Sequence, residues 1–108
     1  MDILKQCQKW HEEDKHQKIV DALEAISAEE RTPEMDMELA RAYNNLADSS
    51  EPEGRKLLHQ ALELMQSHEE ELGDTYSWNF RMGYAYYYLD QEGRALRHFE
   101  KSSGTASR

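Results

Sequence analysis

Apolar residues recur along this chain at helical rather than strand spacing. Ile3, Leu4, Cys7 and Trp10 lie one, three and three apart, and Ile19, Val20, Leu23 and Ile26 repeat those steps. A third stripe is Met35, Leu39, Ala42, Tyr43 and Leu46, and a fourth is Leu57, Leu58, Ala61, Leu62, Leu64 and Met65. A fifth segment, from about Thr75 to Leu89, is dense in aromatics, and a sixth carries Ala95, Leu96 and Phe99. Each stripe forms one apolar face, so the pattern predicts six amphipathic helices and an all-α fold.

The breaks between stripes are local and few. They fall near Asp14-Lys15, Arg31-Thr32-Pro33, Asp48 to Pro52, Leu72-Gly73-Asp74, Asp90-Gln91 and Ser103-Gly104. Thr32 is placed to cap the third helix with Pro33 at its first position, where a missing amide costs nothing. Ser50 and Glu53 have capping-box spacing ahead of the fourth helix, which Gln66 to Glu71 would lengthen. Gly73 suits the left-handed residue that ends that helix, and Gly104 the stop of the sixth.

Self-similarity appears when the first helix of each pair is aligned. Cys7 precedes Trp10, Ala40 precedes Tyr43 and Gly83 precedes Tyr86, in each case a small residue three before a large aromatic. Where antiparallel helices cross closely one must present a small side chain, and an aromatic one turn later fills the wider gap. The second helix follows in kind: Ala95 stands nine after Tyr86 with Phe99 four later, and Ile19 stands nine after Trp10 ahead of Leu23 and Ile26. In the middle pair Gly54 comes two residues later than that step, after which Leu58 and Ala61 resume it, so its turn carries an insertion.

This pattern resembles the tetratricopeptide repeat. The third segment, with Met82, Gly83, Tyr86, Ala95 and Phe99, matches best, although Trp78 sits one residue early, and in the first Ile19 replaces the usual alanine. The aromatic step is 33 residues from Trp10 to Tyr43 and 43 from Tyr43 to Tyr86, against about 34 in the family. The resemblance implies a right-handed superhelix of three antiparallel helix pairs in one domain spanning 1–103. The repeats would cover about 2–30, 34–67 and 75–102, and the tail 104–108 would fray. No capping helix is expected after the third pair, which would leave Leu96 and Phe99 as candidates for self-association.

Composition narrows the functional classes. With 22 acidic against 13 basic residues the formal charge is -9, a field that repels nucleic acid and anionic lipid. No apolar run approaches the roughly 20 residues of a membrane span, and the first residues lack signal-peptide order, so a cytoplasmic home is expected. Cys7 is the one cysteine and reads as a small core residue. His11 and His16 are five apart across a helix break, not the four that shares a face, so no zinc site is expected. The remaining His residues have no companion at ligand spacing, no phosphate loop or nucleophile elbow occurs, and the Glu-rich runs read as solvated faces. Neither an active site nor a cofactor is expected.

The resemblance implies that the first helix of each pair lines a concave groove. Candidate contacts are then Gln8 and His11 on the first helix, and Met37, Arg41, Asn44 and Asn45 on the third. Phe80, Tyr84, Tyr87 and Tyr88 on the fifth complete the set. Aromatics with Arg and Asn supply rigid area and hydrogen-bond donors suited to a peptide. Alternatively the tyrosines pack on the fourth helix or under a covering segment. In some members of the family Lys and Asn on the groove helices hold the terminal carboxylate of chaperone tails; here those places hold Leu4, Gln8, Met37, Arg41, Phe80 and Tyr84, so only one cation matches. The resulting expectation is an adaptor, scaffold or co-chaperone type of module binding a protein or peptide in its groove, with homodimerisation through Leu96 and Phe99 as the alternative.

Overall fold

In a computed structural model describing residues 2–106, with side chains to residue 102, all regular structure is helical. The helices are α1 (Ile3–Glu12), α2 (His16–Glu24), α3 (Pro33–Leu46), α4 (Pro52–Gln66), α5 (Glu69–Leu72), α6 (Tyr76–Tyr88) and α7 (Glu92–Ala106). Side-chain oxygens open three of them by accepting amides that have no partner inside the helix. Asp2 takes the Leu4 amide at 3.0 Å, Thr32 takes that of Met35 at 3.2 Å with Pro33 behind it, and Thr75 takes that of Trp78 at 3.3 Å.

Four local expectations are corrected. The Ser50–Glu53 capping box does not form: Ser50 turns its hydroxyl and amide to Asp48 Oδ1, and α4 begins at Pro52 without a side-chain cap. Gln66 to Glu71 do not extend α4, because the chain breaks at Ser67 and His68 and resumes as the single turn α5. Gly73 ends α5 with φ -60°, in the ordinary right-handed region. Gly104 does not stop the last helix, which runs to Ala106; one glycine costs a helix only about 1 kcal/mol. Residues 107 and 108 of the expected tail lie outside the described residues.

The left-handed positions belong to aspartates instead. Asp14 (φ 58°) and Asp90 (φ 64°) each stand four residues after the aromatic of their pair. The bonds around them also match: Lys15 N–H reaches Trp10 O at 2.8 Å as Gln91 N–H reaches Tyr86 O at 2.9 Å. Asp14 N–H reaches His11 O and Asp90 N–H reaches Tyr87 O, both at 3.1 Å. This is a helix-ending motif in which aspartate, able to tolerate left-handed backbone, takes the place usually held by glycine. The two pairs thus share a turn as well as an apolar pattern.

Packing runs along the chain, α1 on α2, α2 on α3, α3 on α4, α4 on α6 and α6 on α7. In addition α1 meets α3 and α3 meets α6, so the first helices of the three pairs stand in a row. The small residues lie where the pattern requires them: Cys7 and Ala40 are fully buried, and Gly83 sits beneath the Phe99 ring. In the middle pair the inserted turn folds against Gly54, where an added Cβ would stand 1.8 Å from Asp48 O. Leu39, Leu58, Met65, Trp78 and Met82 fill the core between the pairs. Two buried polar side chains are tied in as well, Trp78 Nε1–H to Met65 O at 2.8 Å and Tyr43 O–H to Glu24.

One polar cluster accounts for the break after α4. Asp36, buried in the first turn of α3, lies 2.6 Å from Arg31 Nε and 2.7 Å from His68 Nε2. Arg31 also donates to the carbonyls of Ile26 and Leu23, at 2.8 and 3.3 Å, and His68 Nδ1 lies 2.7 Å from Glu71. Holding His68 against Asp36 gives the break a long-range anchor and joins the end of α2, the start of α3 and α5.

Candidate functional site

Two depressions open on the row α1, α3, α6, and Arg41 borders both. Between α1 and α3 a cavity of about 370 Å³ is lined by Leu4, Gln8, His11 and Glu12 from one helix and Glu34, Glu38 and Arg41 from the other. Between α3 and α6 a second, of about 230 Å³, is lined by Arg41, Asn44, Asn45, Phe80, Arg81 and Tyr84. Helical geometry explains the lining: Glu34, Glu38, Arg41 and Asn45 follow one another four, three and four residues apart along one side of α3.

The row of helices is electrically divided. Its α1–α3 end carries Glu12, Glu34 and Glu38, whereas Arg41 and Arg81 border the α3–α6 end. His11 is buried, with Nε2 2.8 Å from Glu38 Oε2, and Arg41 stands 3.9 Å from the same oxygen. Burial pushes the Glu38 carboxyl upward, but His11, Arg41 and Arg81 outweigh it and hold Glu38 below the usual carboxylate range. Burial and then the Arg41 charge pull the Arg81 guanidinium below its ordinary pKa, opposed by Glu38. A positive, partly desolvated patch flanked by Phe80 and Tyr84 results. Burial, with Glu38 adding to it, raises the Cys7 thiol to about 11, which leaves it protonated and unreactive at neutral pH.

The expected contacts separate into groups. Gln8, His11, Arg41, Asn44, Asn45, Phe80 and Tyr84 line the two depressions. Within this set Asn44 is buried and donates to the Arg81 carbonyl at 3.3 Å, and His11 is engaged with Glu38, so both shape the wall more than they reach out. Met37 packs against the core. Tyr87 and Tyr88 border neither depression; they are exposed, with Tyr88 against Tyr84 at 4.8 Å and Tyr87 at 5.2 Å. Phe99 is half-buried over Gly83 with Phe80 beside it at 6.0 Å, whereas Leu96 is 57% exposed.

Sequence reasoning passed over Glu34, Glu38 and Arg81. Stepping back from Arg41 by three and then four residues would have reached both glutamates, since that spacing keeps one face. For Arg81 the signal is weaker, because only the crossing of α3 and α6 brings it beside Arg41. His11 and His16, rejected as a metal pair, do meet with ring centroids 5.5 Å apart. Among the described residues no group of three or more His, Cys, Asp or Glu is placed to hold a metal ion, and no helix is long and apolar enough to cross a membrane.

Comparison with known proteins finds no matching family model, no matching curated protein and no matching solved structure.

Proposed function

We propose that the chain is a tetratricopeptide-like module in which the row α1, α3, α6 forms the concave wall of a right-handed superhelix and receives an extended segment of a partner protein. The observation that carries this reading is that Arg41 borders both depressions, one carboxylate-rich and the other lined by arginine and aromatics. A segment with a basic residue near Glu34 and Glu38 and an acidic group near Arg41 and Arg81 complements that division. Phe80 and Tyr84 supply the apolar area that anchors such a segment, and Arg and Tyr are among the residues enriched where binding energy concentrates.

Selection of a random peptide library against the domain, followed by affinity measurement, tests it. Binders should carry both charge signs, and Tyr84→Ala or Arg81→Gln should weaken them by at least about tenfold, a loss ordinary for a central contact. Selected peptides whose affinity survives both substitutions would overturn the assignment.

A second reading is favoured by exposed Leu96 together with exposed Tyr76 and Phe80: a homodimer built on the α6–α7 pair. Phe99, already covered by α6, would contribute little to it. Sedimentation decides between the two, since the dimer reading requires a doubled mass that Leu96→Glu abolishes.

A further inference from the structure

The other side of α6 carries a second cluster, independent of the groove. Arg94, Arg97, His98 and Lys101 recur at three, one and three residues, one face of α7, and with Tyr86 they line a cavity of about 370 Å³. Tyr86 lies about 200° around α6 from the groove residue Tyr84, at 100° per residue. In a chain of net charge -9 this concentration of cations is an electrostatic exception. Arg94 and Arg97, three residues apart on one helical face, repel one another, and an anion between them relieves that repulsion.

The cluster is built, not merely a row of surface side chains. Tyr86 forms its floor, with the Arg94 guanidinium 5.7 Å from the ring centre and the His98 imidazole stacked at 5.6 Å. Trp78 meets the same imidazole edge-on at 5.5 Å. Behind it, fully buried Asn79 donates through Nδ2 to Gly73 O at 2.9 Å and Thr75 O at 3.0 Å, which fixes the direction of its amide. Asn79 Oδ1 must then accept from His98 Nδ1–H, 3.0 Å away. The proton on Nδ1 is therefore permanent, and Nε2 is the nitrogen that gains or loses one.

We propose that this pocket binds a phosphate group, with Arg94, Arg97 and Lys101 as cationic donors and His98 Nε2–H as a further donor. A phosphate carries about -1.5 to -2 charges at pH 7 and three strong acceptor oxygens, so it meets several converging cationic donors with more charge and one more oxygen than a carboxylate. The guanidinium fork suits those oxygens. The charged and titratable neighbours of His98 are Arg97 and Lys101 on its own helix, with Arg94 a turn earlier, and Glu69 on α5. Burial, then Lys101 and Arg97, push His98 below its usual pKa, and Glu69 opposes them. A bound dianion reverses that balance, so binding is coupled to proton uptake at Nε2.

The test is histidine NMR of the intact chain, titrated with inorganic phosphate, with a phosphoserine peptide, with the same peptide unphosphorylated, and with sodium chloride at matched ionic strength. Phosphate and phosphopeptide should raise the His98 midpoint and leave exposed His59 unmoved. Arg97→Gln, at an exposed site that leaves the fold intact, should weaken both about tenfold, the worth of one charge-assisted bond. Phosphopeptide binding at least tenfold tighter than inorganic phosphate assigns the pocket to a modified polypeptide, and equal affinity assigns it to free phosphate. The proposal is overturned if His98 responds no more to phosphate than to sodium chloride, or if Arg97→Gln leaves the affinity unchanged. None of these outcomes depends on the groove.

Discussion

The edge of the Phe99 ring lies 2.6 Å from the point that a Cβ on Gly83 would occupy, so α6 and α7 approach as closely as they do because residue 83 has no side chain. Gly83→Ala forces the ring aside and should cost about 1–3 kcal/mol, an overpacking penalty, read by urea denaturation. Phe99→Leu in the same chain should recover part of it.

Gly54 makes the sharper contrast. An alanine there meets the Asp48 backbone, with its carbonyl oxygen at 1.8 Å, and a turn yields less readily than a side chain. Gly54→Ala should therefore destabilise more than Gly83→Ala. Gly93 has nothing within 4 Å of an added Cβ, so Gly93→Ala should be neutral or stabilise by up to about 1 kcal/mol from helix propensity. Three urea curves rank the three substitutions.

Asp14 and Asp90 hold left-handed backbone, which carries a steric cost of up to about 1–2 kcal/mol for an L-residue and none for glycine, whose cost is entropic and smaller. Asp14→Gly and Asp90→Gly should each raise the melting temperature. Each substitution also gives up a charge contact, Asp14 with His16 at 3.7 Å and Asp90 with Arg55 at 3.4 Å, which reduces the gain.

Asp36 is the shared partner of Arg31 and His68 in a nearly dry site. Asp36→Asn leaves the Arg31 guanidinium facing a neutral amide, and breaking a buried pair costs about 3–5 kcal/mol. The Arg31 bonds to the Ile26 and Leu23 carbonyls should keep the loss near the lower end of that range. Equilibrium unfolding measures it directly.

The same cluster gives a pH signature. Burial lowers the His68 pKa, but its bonds to Asp36 and Glu71 more than offset that and raise it above 6.5. A histidine with a raised folded pKa contributes stability fully present below its unfolded pKa and lost as pH climbs through the folded one. His16 and His98, both lowered chiefly by burial, act oppositely, and their contribution is lost as pH falls below about 6.5. The stability difference between the native chain and His68→Gln should therefore shrink as pH rises above 6.5. A difference constant from pH 5 to 9 would contradict the assignment.

Cys7, fully buried with a thiol near 11, should resist a disulfide reagent at pH 8 in the native state and react at once in urea.

The amino-acid sequence alone determined the six longer helices and their phase, though not the single turn α5, because apolar spacing is a property of rotation about one local axis. Cys7, Ala40 and Gly83 could be named as inward-facing small residues without coordinates, and all three are buried. Tertiary structure decided what no local period encodes. His68 meets Asp36 across 32 residues and so breaks the run after α4, and Arg81 reaches Arg41 only through the crossing of α3 and α6. The tautomer of His98 is set by Asn79 on a neighbouring helix, whose own amide is fixed by the turn before it. Side chains far apart in the chain meet according to the angle and depth at which helices pack, and those follow from the volumes of the whole core rather than from any single stripe.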